Sequence, residues 1–94
     1  MSENFCIAAF RSRLHVMAYE RALAAAGVKA TVVTTPRAVS IGCGLSVRFE
    51  SRDLEKARLA LRRVPQGNLI GLYLVERDQM NRQVVRPIHS QPGH

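Results

Sequence analysis

The sequence predicts an α+β sandwich, one sheet with two helices on a single face. Three features of its 94 residues point there. Short runs near 5–10, 31–34, 45–49 and 68–75 are rich in apolar and β-branched residues and have strand length. Two intervening stretches place apolar residues at three- and four-residue spacing, the mark of an amphipathic helix. The order is therefore strand, helix, strand, strand, helix, strand, and a chain of this length has room for one core.

Phe5-Cys6-Ile7-Ala8-Ala9-Phe10 is continuously apolar and reads as a buried strand. Arg11-Ser12-Arg13 interrupts it, and Ser12 is placed to cap a helix with its hydroxyl. That helix spans 13–26, with Leu14, Met17, Ala18, Arg21, Ala22 and Ala25 on its periodic side and Leu23 and Ala26 widening it. Gly27 supplies the left-handed residue that commonly closes a helix. Lys29 to Thr34 is the second strand, and Leu45-Ser46-Val47-Arg48-Phe49 alternates as a half-buried third. The second helix, Asp53 to Arg63, carries Leu54, Ala57, Leu61 and Val64 on one side, with Asp53 and Glu55 set against its dipole. Pro65-Gln66-Gly67 stops it before the fourth strand, 68–75. After Glu76 the chain turns polar. The domain is thus drawn as 1–76, with 77–94 as an extension whose 82–87 offers a short edge strand and whose end is a disordered tail.

With right-handed crossovers this order closes most simply as a ferredoxin-like βαββαβ sandwich. Its four-stranded antiparallel sheet has room for a short fifth edge strand. The third strand would then lie between the first and second. The loop after strand one and the loop joining strands two and three would share one edge of the sheet. Arg11, Ser12, Arg13 and His15 would meet Thr35-Pro36-Arg37-Ala38-Val39-Ser40-Ile41-Gly42-Cys43-Gly44 there.

Cys43 is flanked by Gly42 and Gly44, which cannot shield its sulfur. The N-terminus of the first helix, Arg13, Arg37, His15 and Ser40 are the groups placed to stabilise a thiolate or another anion at that edge. Such surroundings lower a thiol pKa and enlarge its thiolate fraction. The bland reading of Cys43 is a small residue at a strand entry. That of Arg37 is a surface charge, and that of Ser40 a loop-stabilising hydroxyl. Cys6 falls at the opposite edge and reads as packing, which leaves Cys43 without a disulfide partner.

The net charge of +7, with arginine as twelve of fourteen basic residues, favours anionic partners. Aromatics make up only 5%, so the core rests on aliphatic residues, and a homodimer through the open sheet face would add stability. Two cysteines form no disulfide framework, and no signal peptide or long apolar span is evident. A reducing cytoplasm, free thiols and no membrane contact are expected. Cys43 and His15 fall short of a tetrahedral ligand set, so neither metal nor other cofactor is expected.

His15, Ala18, Glu20 and Ala26-Gly27, followed by Pro36-Arg37, Ser40, Cys43-Gly44-Leu45 and Arg48, resemble the selenium/sulfur carrier-like domains of bacteria. The sharpest piece is the Pro-Arg-x-x-Ser-x-x-Cys-Gly spacing, and the resemblance covers roughly residues 5–76. It implies a cysteine that carries sulfur or selenium as a persulfide or selenopersulfide, here Cys43. Donor and acceptor proteins would be its partners, in a relay without turnover of its own. The Cys-Pro-x-Pro motif of related sulfur-relay proteins is absent. A second class of function is a basic ferredoxin-like module in which Cys43 is structural, either binding nucleic acid on the sheet, with Phe5, Phe10 and Phe49 as the stacking candidates, or serving as a regulatory interaction module.

Overall fold

The computed structural model describes residues 4–37, 39, 44–65 and 67–88. The chain runs β1 (Phe5–Phe10), α1 (Arg13–Ala25), β2 (Ala30–Thr34), β3 (Leu45–Glu50), α2 (Leu54–Leu61), β4 (Leu69–Arg77) and β5 (Gln83–Ile88). A short 3-10 turn, Ser51–Asp53, leads into α2. Every strand pairing is antiparallel, in the order β2-β3-β1-β4-β5. β3 therefore lies between β1 and β2, as the connectivity requires.

Where four strands were the core expectation, the sheet has five. β5 pairs along β4 from Leu72–Ile88 to Arg77–Gln83. The boundary expected after residue 76 falls inside β4, which continues to Arg77. The polar stretch that follows is a specified turn. Asp78 Oδ1 accepts the backbone N–H groups of Met80 and Arg82, both at 2.9 Å. Asn81 takes φ 64°, which asparagine tolerates better than most residues. These hydrogen bonds, led by that from the Arg82 backbone, hold the Asp78 carboxyl below its ordinary pKa. The tail expected from 89 to 94 lies outside the described residues.

Both helices cover one face. Val16, Tyr19 and Leu23 of α1 and Ala57, Ala60 and Leu61 of α2 join Cys6, Ala8, Phe10, Val47, Phe49 and Leu72 in a single core. Tyr19 links the layers: its hydroxyl donates to the Ala57 carbonyl at 2.8 Å, and its ring centroid lies 5.6 Å from that of Phe10.

This placement corrects the expected inward side of α1. Leu14 is 78% exposed and Met17 44%, while Val16, Tyr19 and Leu23, at i, i+3 and i+7, are fully buried. Two rows on this helix satisfy the same spacing. The row with the large ring and a hydroxyl partner on α2 is the one that packs. Ser12 does occupy the N-cap position, but its hydroxyl makes no capping bond. Its carbonyl instead accepts from His15 N–H and Val16 N–H, each at 3.1 Å.

On the face without helices, Ile7, Ala9, Ser46 and Val75 are nonetheless buried. Side chains lying along the sheet cover it. Arg48 stacks its guanidinium 3.9 Å above the centre of Phe5. Tyr73 folds over Gly71, where an added Cβ would come within 2.9 Å of its hydroxyl oxygen. Among the described residues the large apolar side chains that stay exposed, Leu14, Met17, Leu59 and Met80, lie on the helices and in the β4–β5 turn.

Replacing Tyr19 by Phe should cost about 0.5–1.5 kcal/mol in chemical denaturation, because the buried hydrogen bond from its hydroxyl to the Ala57 carbonyl is lost. Leu14→Ala on the solvent side should stay within about 0.5 kcal/mol of wild type.

Candidate functional site

The register brings three connections to one edge of the sheet. Phe10, the last residue of β1, sits opposite Leu45 of β3 and Leu69 of β4, and Thr34 of β2 sits opposite Leu45. The β1–α1 link, the β2–β3 loop and the α2–β4 turn therefore emerge together.

The β2–β3 loop is closed at its base. Thr35 N–H donates to the Gly44 carbonyl at 3.2 Å, and Thr35 Oγ1 and Ser46 Oγ lie 2.7 Å apart in a buried hydroxyl pair. Gly44 holds φ +118°, a conformation that side-chain-bearing residues rarely adopt. A Cβ there would also sit 3.4 Å from the Phe10 carbonyl oxygen and 3.4 Å from Thr35 Oγ1. The glycine after Cys43 is thus required by the backbone. Pro36 begins a turn in which its carbonyl accepts Val39 N–H at 3.0 Å, and Arg37 within it is exposed. Ser40, Gly42 and Cys43 lie outside the described residues.

The charge at this edge has one sign. Arg11 and Arg13 are exposed beside the start of α1, and Arg37 is exposed on the loop. The connecting segments 11–13, 35–44 and 65–68 contain no aspartate or glutamate. The first turn of α1 contains no acid either, and no side chain caps it, so the partial positive charge of its N-terminus is uncompensated there.

The expected meeting of His15 with residues 40–43 of the loop lies outside the described residues. His15 Nδ1 lies 3.3 Å from Asn68 Nδ2. Asn68 also accepts Arg11 N–H through its carbonyl at 2.8 Å. Asn68 leads into β4, on the other flank of β1 from β2 and β3. His15 and Asn68 thus tie α1 to the α2–β4 turn, a link across 53 residues that no local pattern announces.

Cys6 pairs with Phe49 and Leu74 at the far end of β1 and is completely buried. Four residues separate it from Phe10, about 13 Å along a strand. Burial pushes its thiol from 9.0 up to about 11. Of the aromatic stacking candidates, Phe10 and Phe49 are buried in the core, and Phe5 lies beneath Arg48.

Among the described residues, no group of His, Cys, Asp and Glu could hold a metal ion, and no helix is long and apolar enough to cross a membrane. A model of the family described as "Putative Se/S carrier protein-like" matches residues 5–66. That match runs from β1 past the end of α2, includes Arg37 and Cys43, and stops before β4. No curated protein and no solved structure matches the chain.

Gly44→Ala should destabilise the fold by about 1–3 kcal/mol in urea titration, because alanine is strained at this φ. Alkaline pH tests Cys6. Its folded pKa is raised, so its contribution to stability is complete below about 9 and is lost as pH rises through about 11. Denaturation midpoints measured from pH 8 to 11 should fall less steeply in Cys6→Ala; an unchanged slope would contradict the assignment.

Proposed function

The chain belongs to the Se/S carrier protein-like family, and on that basis we propose that it carries sulfur or selenium on Cys43 as a persulfide or selenopersulfide. The observation that bears most weight is the acid-free basic edge where the loop base closes at Gly44, the residue next to Cys43. Arg13, Arg37 and the uncapped start of α1 favour negative charge there. Ser40 and the glycines serve to hold and expose the sulfur. His15 acts through the Asn68 link, fixing the helix terminus rather than touching the cargo.

In the transfer step the Cys43 thiolate attacks the outer sulfur of a donor persulfide. The new S–S bond forms as the donor's S–S bond breaks, and the donor leaves as a thiolate. No electrons are gained or lost overall. Cys6 is buried, its thiol is held protonated to about pH 11, and its place at the opposite end of β1 argues against an internal disulfide that would discharge the cargo. A reducing cytoplasm suits such a carrier.

Donor and acceptor proteins with acidic faces are the partners that this edge fits, and the exposed Leu14 beside Arg13 adds an apolar contact for them. The order β2-β3-β1-β4, with both helices on one face, supports a ferredoxin-like core to which β5 is added. Nucleic-acid binding remains the second reading on charge alone. The burial of Phe10 and Phe49 removes most of its stacking surface.

Incubation with a cysteine desulfurase and cysteine should add about 32 Da in intact-mass analysis, as a persulfide on Cys43. The adduct should disappear in Cys43→Ser and persist in Cys6→Ala. Absence of any adduct on the folded wild-type chain overturns the proposal.

A further inference from the structure

We propose that the open sheet face at the end of β2, β3 and β1 opposite the Cys43 loop is a binding site for the phosphate group of a small molecule, held by Lys29, Arg48 and Arg52. Neither Cys43 nor the carrier reading enters into it. The starts of β1 and β2 and the end of β3 border a cavity of about 780 Å³, with the 3-10 turn closing one side. This volume falls within the roughly 300–1,000 Å³ of ordinary small-molecule sites and exceeds what a bare phosphate fills.

The cavity is basic. Lys29, Arg48 and Arg52 stand against one carboxylate, Glu50, which leaves 3 − 1 = 2 positive charges. Glu50 is engaged by Arg52 at 2.8 Å, and both are largely exposed. Among the described residues Lys29 and Arg48 have no acidic partner, and Thr31 and Ser51 add hydroxyl donors. An excess of two charges suits a phosphate group, which is close to dianionic at neutral pH.

Arg48 is the organising residue. Its guanidinium lies 3.9 Å above the centre of the Phe5 ring, so the ring holds its face while its N–H edge stays available. A planar fork fixed in this way binds two phosphate oxygens at little conformational cost. The same stacking covers Phe5, and the other aromatic on the wall, Phe49, is buried. Neither aromatic lining the cavity offers a bare ring to a nucleobase of a single strand, which favours a small phosphorylated molecule over nucleic acid.

The test is an NMR titration of the isotope-labelled full chain with inorganic phosphate, pyrophosphate and ADP at constant ionic strength. Pyrophosphate and ADP should shift the amides of Lys29, Arg48, Ser51 and Arg52. Arg48→Gln should weaken binding about tenfold, as expected for a lost charged hydrogen bond. Arg86→Gln, on β5 at the other side of the sheet, should leave it unchanged. Tighter binding of ADP than of pyrophosphate assigns a nucleotide, and equal binding assigns the diphosphate group itself. Three outcomes overturn the site: no localised shifts, equal weakening by both variants, or shifts produced by an RNA oligonucleotide but by none of the phosphates.

Discussion

The constraint on which the rest of the molecule depends is the double pairing of β1. It is hydrogen-bonded along its length to β3 on one side and β4 on the other, with Cys6, Ala8 and Phe10 turned into the helix-covered core. A slip of one residue would turn those three outward and bring Phe5, Ile7 and Ala9 beneath the helices, so register and core composition are one choice. Because β1 ends at Phe10 opposite both Leu45 and Leu69, it also fixes where three connections emerge. The basic edge at Arg11, Arg13 and Arg37 follows from that pairing.

The positive charge is concentrated by the fold rather than spread evenly. Arg11, Arg13 and Arg37 gather at one edge, from segments that contain no acid. Lys29, Arg48 and Arg52 gather at the opposite end of β2, β3 and β1, against Glu50. Elsewhere Arg58 pairs locally with Glu55 and Arg82 with Asp78. The open face between the two basic regions is covered by Arg48 on Phe5 and Tyr73 on Gly71. Among the described residues the exposed large apolar side chains lie elsewhere.

Much of this architecture was legible in the residues. β1 has the expected limits, and β2, β3 and the core face of α2 follow from their apolar patterns. The side of α1 did not follow, because Leu14 with Met17 and Val16 with Tyr19 obey the same helical spacing. Periodicity counts apolar residues and is blind to a hydroxyl that needs an acceptor on another helix. The β4–β5 hairpin was underread for a related reason: its turn is written in Asp78 and Asn81, polar residues whose meaning lies in backbone hydrogen bonds. At the candidate site, Gly44 and Arg37 were identifiable from the motif. The binding of His15 to Asn68 was not, since the two are far apart in the chain.

The sequence by itself determined the class of fold, the order of its elements and the motif around Cys43, because these depend on local spacing and on residue types acting where they stand. Only the tertiary structure decided which face of α1 packs, how Cys6 is sequestered and which cations meet. Burial, hydrogen-bond partnership and electrostatic field are properties of neighbours in space. Phe5 and Arg48 become one unit only when β1 lies beside β3, and Thr35 meets Gly44 only when β2 does.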